Sequence, residues 1–288
     1  MFNIMLGMII DFHTHIFAPD IIENREKYCQ QDNCFATLYS SGKAKLATAE
    51  QLINIMDEYE IEKAVVLNLG WQSQNLCLRT NDYILESITR YPDRLIGFCM
   101  IQPSIGAGAV KELERCLKSG AKGIGEMRLD YSGLSLGDMD VLKPIVEIMI
   151  NNNMILILHT SEPVGHDYPG KGKVTPDISY SFLLKFPDLK IVCAHWGGGL
   201  PFYALMPEID KAINNAFFDT AATAYLYRPA IFRSVLDIIG SEKILFGSDY
   251  PLMSPGKILS QINSLDLSKN EQSKILGHNA RQLLNIIE

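Results

Sequence analysis

Eight short apolar runs, each ending in polar residues and separated by amphipathic stretches, limit the fold of this chain more than any other feature. The runs are Ile9–Phe12, Ala64–Leu69, Leu95–Ile101, Gly123–Leu129, Ile155–His159, Ile191–His195, Ala216–Thr220 and Ile244–Phe246. Between and after them, Ala47–Glu60, Asn81–Tyr91, Ala109–Lys118, Leu142–Asn152, Ser179–Phe186, Tyr203–Ile213, Ala230–Ile239 and Glu271–Ile287 read as helices. Strands that alternate with helices imply a parallel sheet wrapped by helices. The expected fold class is therefore α/β, a closed (β/α)8 TIM barrel. A doubly wound open sheet is the runner-up. The count favours the barrel, and "GIGEMR" is not the Gly-rich dinucleotide fingerprint an open sheet would carry after its first strand. At 288 residues, one barrel domain spanning 1–288 is expected, since α/β barrels reach this length as single units. Residues 16–48 read as an irregular insertion, a lid or wall above the first strand.

Composition narrows the partners. Hydrophobic residues make up 47% and charged residues 20%, enough for a large core. The formal charge is -7 and no Lys/Arg-rich run is present, so a nucleic-acid partner is not expected. No apolar stretch is long enough to span a bilayer, so no membrane association is expected. The leading "MFNIMLGMII" is apolar, but the first basic residue is Arg25, so it does not read as a signal peptide; Met8 is an alternative start. The six cysteines form no C-x-x-C pair, and "CQQDNC" is a weak metal or redox signal. This usage fits a reduced, cytoplasmic protein.

The chemistry starts at "DFHTH". In a strand, residues i and i+2 share a face, so His13 and His15 point the same way. Two imidazoles on one face suit a metal of the zinc class; a pair of hydrogen-bonded structural histidines is the plain alternative. In a barrel, the carboxyl ends of all strands meet on one face. His159 ends the fifth run, His195 ends the sixth, Asp249 follows the eighth, and Glu126 lies near the end of the fourth. Four of six histidines and two carboxylates thus project towards one rim, which favours a shared metal site.

The segments "IIDFHTHI", "ILILHTSEP", "KIVCAHWGGG" and "ILFGSDYP" resemble the signatures of the amidohydrolase superfamily. Their order and spacing are most similar to its amidohydrolase-related branch of metal-dependent hydrolases and decarboxylases. The ending "ILGHNARQLL" resembles that branch's last helix. The resemblance implies that His13, His15, His159 and Asp249 hold a metal, and that His195 binds a second metal or assists catalysis. The expected cofactor is a divalent ion, Zn2+ first, one or two per chain, with Mn2+ or Fe2+ as alternatives. Asp249 would accept the proton of a metal-activated water. "GIGEMRLDY" resembles a segment of TatD-type metal nucleases in which the glutamate contacts the metals. Glu126 would then bridge two ions. Hydrogen bonding to a ligand histidine, or pairing with Arg128, are its other readings.

The expected function is a metal-dependent hydrolase of a small-molecule amide, ester or lactone. The alternative is a metal-dependent decarboxylase of an unsaturated or aromatic acid, and a TatD-like nuclease stands behind both. Substrate contacts are expected from Arg128, either as an anion clamp or as a rim salt bridge. Trp71 and Trp196 are candidate pocket walls, and His166 lies in the loop "EPVGHDYPGKGK". A homo-oligomer is left open.

Overall fold

A computed structural model describes residues 8–286. Its strands are β1 (Ile9–His15), β2 (Ile61–Leu67), β3 (Leu95–Cys99), β4 (Gly123–Met127), β5 (Ile155–Leu158), β6 (Lys190–Cys193), β7 (Ala216–Asp219) and β8 (Ile244–Leu245). They pair in chain order, each pair parallel. The segment after β8 returns to β1. Phe12 N–H donates to the Phe246 carbonyl at 2.7 Å, His15 N–H to Tyr250 at 2.7 Å, and Asp249 N–H to His13 at 2.9 Å. The fold is thus the expected (β/α)8 barrel.

Apolar side chains from around the ring fill the interior. Ile10, Phe12, Val65, Leu67, Phe98, Ile157, Val192 and Leu245 belong to one buried cluster, which Ala280, Leu283 and Leu284 of the last helix join. Two larger clusters lie between strands and helices. The outer helices are amphipathic, and several are capped as their sequences dictate. Ala49–Glu58 opens on a reciprocal Thr48–Gln51 capping box. Among the described residues, no helix is long and apolar enough to cross a membrane.

The irregular reading of 16–48 needs correction. The segment holds three short helices, Pro19–Glu23, Arg25–Gln31 and Asn33–Tyr39. Helices of five to seven residues are too short to display an apolar stripe, although Pro19 and Asp32 are start signals. Asp32 caps the third helix by accepting the Phe35 N–H at 3.0 Å. Phe35 stacks on Trp71 at 5.1 Å and meets Tyr39 at 5.0 Å, which seats the insertion on the barrel mouth.

Other boundaries moved for local reasons. The helix expected from Asn81 begins at Gln74. Tyr203–Ile213 is broken into Leu200–Leu205 and Pro207–Ala212, because Pro207 cannot continue the preceding turn. A helix at Pro255–Ser264 had not been anticipated. The last helical stretch runs to Leu284, and its expected end at Ile287 lies outside the described residues.

Candidate metal centre

The register of β1 on β2 shifts between Asp11 and Thr14, an extra residue in β1. Such a bulge re-aims the side chains beyond it. Phe12 therefore packs in the apolar interior, while His13 and His15 meet at the carboxyl mouth. Their Nε2 atoms lie 3.2 Å apart. Both histidines lie within β1, which runs beyond the expected end at Phe12 to His15.

Glu126 is delivered by β4. Gly125 before it has φ of +151°, and a Cβ there would lie 2.8 Å from Ile157 Cβ and 2.9 Å from its carbonyl oxygen. Only glycine fits that backbone without displacement. Asn68 holds the next peptide, accepting the Glu126 N–H at 2.8 Å. His195 and Asp249 both sit in left-handed backbone, at φ of 57° and 65°, a conformation rare outside glycine and concentrated at functional sites.

The six side chains converge. Asp249 Oδ1 lies 3.8 Å from His13 Nε2 and 3.7 Å from His15 Nε2. Glu126 Oε2 is 3.9 Å from His15 Nε2, and its Oε1 faces His159 Nδ1 at 2.7 Å. His195 Nε2 is 3.7 Å from Asp249 and 3.8 Å from Glu126. All six are at most 8% exposed. Three overlapping trios have donor atoms spaced to hold an ion: His13, His15 and Glu126; His13, His195 and Asp249; and Glu126, His159 and His195.

Asp219, at the end of β7, organises this cluster and was missed from sequence. It is fully buried. Its Oδ2 faces His13 Nδ1 at 2.8 Å, and its Oδ1 accepts the His195 N–H at 2.9 Å and the Ala221 N–H at 3.1 Å. A carboxylate on Nδ1 fixes the proton there and turns the Nε2 lone pair to the centre. Burial depresses the His13 imidazole, but Asp219 and the other carboxylates outweigh it and push it up to about 10. His15 goes the other way. Burial and the neighbouring His13 charge pull it down to about 4, so it stays neutral. Among the described residues, His15 Nδ1 has no hydrogen-bond partner. Two imidazole lone pairs directed at one point repel unless a cation or proton lies between them. Together with Asp249, this donor set fits a divalent metal ion.

His195 is set apart from this pair. Its Nδ1 faces the Thr160 carbonyl at 3.3 Å, leaving Nε2 towards Asp249. Burial lowers it, but Asp249 and Glu126 prevail and raise it to about 9. The insertion also reaches the site. Burial, then the charges of Asp249 and Glu126, hold the Tyr39 hydroxyl well above its ordinary value.

The remaining candidates divide. Arg128 is buried beside His159 rather than exposed at the rim, with Nε on Asp130 at 3.0 Å and Nη2 on the Gly170 carbonyl at 2.6 Å. Trp71 and Trp196 are fully buried, and their ring N–H groups donate to Asn68 and Thr223. They are packing residues, not walls open to a substrate. His166 is exposed and touches Tyr168, outside the cluster.

A family model described as amidohydrolase matches residues 10–286. The chain belongs to the amidohydrolase family. Among curated relatives, 2-amino-3-carboxymuconate-6-semialdehyde decarboxylase of Dictyostelium discoideum is 22% identical, covering 96% of this chain and 91% of that protein. Gamma-resorcylate decarboxylase of a Polaromonas species is 24% identical, covering 82% and 87%. The solved 5-carboxyvanillate decarboxylase of Sphingomonas paucimobilis superposes with a TM-score of 0.79 at 17% identity, over 97% of this chain and 99% of that one. The enzyme of the same name from Novosphingobium aromaticivorans, solved with manganese and 4-hydroxy-3-methoxy-5-nitrobenzoic acid, gives 0.77 at 20% identity, over 97% and 96%. These relatives are decarboxylases, so the hydrolase expectation is overturned. The donor set alone did not separate the two chemistries, because both use a metal at the same barrel mouth. The primacy of zinc is also unsupported, since manganese is the ion named with the Novosphingobium enzyme.

Proposed function

We propose that this chain is a metal-dependent decarboxylase that releases CO2 from a small aromatic or unsaturated carboxylic acid. The observation that carries this reading is the His195–Asp249 pair beside the His13–His15 cluster. The reactions named for its relatives support it. His13, His15, Glu126 and Asp249 would hold the ion, with His159 fixing Glu126 through its 2.7 Å contact and reaching the ion only if its Nδ1 exchanges that carboxylate for it. Carboxylate donors make Mn2+ as suitable as Zn2+, and we place Mn2+ first. When bound, the ion supplies positive charge that orients the substrate's oxygens and stabilises negative charge as it develops.

The chain's own residues handle the proton. His195, held at Nδ1 by the Thr160 carbonyl, presents Nε2 to Asp249 at 3.7 Å and is the proton donor of this reading. Its proton passes to the ring carbon that bears the carboxylate. The carbon–carboxylate bond then breaks, and its electron pair returns to the ring as CO2 departs. Carboxylate plus one proton gives arene plus CO2, and His195 regains its proton from solvent. Asp249 keeps the imidazolium in place. The side chains of the cluster are buried, which limits the access of bulk water to the proton transfer.

The test is CO2 release by manganese-loaded protein from 2-hydroxybenzoate and 2,6-dihydroxybenzoate, beside a panel of esters and lactones. His195→Asn should lower turnover by about 10²–10⁴-fold, the usual share of general acid catalysis, with manganese retained. Hydrolysis of an ester or lactone without CO2 release from any acid would reject the reading.

A further inference from the structure

One oxygen joins the metal cluster to the buried guanidinium. The Gly170 carbonyl accepts from Arg128 Nη2 at 2.6 Å and faces His159 Nε2 at 3.0 Å. Among the described residues, Asp130 is the one acidic partner of Arg128. A neutral amide oxygen thus occupies a place where a carboxylate would form a stronger, charge-assisted bond. We propose that Arg128 binds a second, non-reacting carboxylate of the substrate, which takes the position now held by the Gly170 carbonyl. This rests on the decarboxylase reading and narrows its substrate class to diacids.

The loop is built to allow the exchange. Gly170 is buried at φ of +100°, inside a loop whose residues 163–167 are exposed. The loop is anchored beyond Gly170 by Gly172 N–H on Ser161 Oγ at 2.8 Å and Lys173 N–H on Asp130 at 2.7 Å. Turning the 170–171 peptide gives up the Lys171 N–H bond to the Tyr168 carbonyl at 3.0 Å, and glycine's freedom at Gly170 allows it while those anchors hold. The charge argument selects which carboxylate Arg128 meets. As CO2 leaves, the reacting carboxylate loses its charge to the ring, so a cation clamped on it would favour the ground state. A second carboxylate keeps its charge throughout. Arg128 therefore contributes uniform binding, seen in KM and not in kcat.

The experiment titrates manganese-loaded protein calorimetrically with 2-hydroxybenzoate, 4-hydroxybenzene-1,3-dicarboxylate and 2-hydroxybenzene-1,4-dicarboxylate. Wild-type protein should bind at least one diacid about tenfold or more tightly than the monoacid. Arg128→Gln should abolish that advantage and leave 2-hydroxybenzoate binding unchanged, while Arg128→Lys keeps part of it. Equal binding of all three acids to wild type overturns the proposal, as does an advantage that survives Arg128→Gln. Equal loss for mono- and diacids in a folded variant also overturns it. If Arg128→Gln does not fold, the wild-type comparison and Arg128→Lys decide. CO2 release is measured separately. Selective diacid binding without it retires the decarboxylase reading and leaves this site standing; release from monoacids and diacids with equal KM does the reverse.

Discussion

Replacing Asp219 with asparagine tests how the centre is oriented. The carboxylate is fully buried and has three partners: His13 Nδ1, His195 N–H and Ala221 N–H. An asparagine oxygen can keep the two backbone N–H groups. Its NH2 then faces His13 Nδ1. Either two donors confront each other, or His13 takes the other tautomer and its Nε2 carries the proton. In both cases the lone pair at Nε2, 3.2 Å from His15 Nε2, is compromised. Loss of such an orienting carboxylate typically costs about 10–100-fold in metal affinity, or about 1.4–2.7 kcal/mol. Losing one buried hydrogen bond to a charged group costs folding a further ~1.5–3 kcal/mol.

The assay is manganese occupancy at controlled free Mn2+, with thermal unfolding beside it. Asp219→Asn should stay folded, melt lower by roughly 3–10 °C, and need higher free Mn2+ for half occupancy. Wild-type manganese affinity in the folded variant would refute the reasoning, because it would show that His13 presents Nε2 without the carboxylate behind it.

Two further changes test the scaffold. Gly125→Ala places a Cβ against Ile157 in backbone that L residues rarely adopt; it should cost about 3 kcal/mol or more in urea unfolding, and wild-type stability would contradict the close approach. Glu112, whose side chain bonds Asn81 and Arg115 at 2.7 Å, governs acid stability. Burial raises its pKa, but Arg115 and Asn81 prevail and hold it below the ordinary value. A depressed folded pKa gives stability that is fully present above the unfolded value of about 4.3 and is lost as pH falls through the folded one. Glu112→Gln should therefore be less stable than wild type at neutral pH, and the gap should close below about pH 4; a constant gap in urea melts across that range would reject the assignment.

The barrel and most of the cluster were legible because each apolar run announces its own end. His159 and His195 follow runs of buried aliphatic residues, and topology brings those ends together without any detail of packing. Asp219 carried the same signal, a lone acid closing "AFFD". It matches none of the resembled motifs, and its partners, His13 and the His195 backbone, are distant in sequence. Trp71 and Trp196 show the opposite failure. An aromatic after a strand suits a pocket wall and a packed core equally well. Asn68 and Thr223, which accept their ring N–H groups, decide for the core, and no periodic pattern records such pairs. The helices of the insertion escaped because five to seven residues complete fewer than two turns.

Much of the site sits where regular structure is broken. β1 carries a bulge, Gly125 bends β4, and His195, Trp196 and Asp249 leave their strands in left-handed backbone. Each such non-glycine residue costs about 1–3 kcal/mol unless its surroundings fix it. Those surroundings are visible: Asp219 holds the His195 N–H, the His13 carbonyl holds the Asp249 N–H, and Thr223 holds the Trp196 ring. The same bonds that fix the strained backbone aim the donor atoms at one point. Asp219 belongs to both sets, bonded at once to a cluster imidazole and to the strained peptide of His195. Orientation of the donors and tolerance of the strain therefore rise and fall together, so a change that relaxes the backbone at the mouth also disperses the ligands.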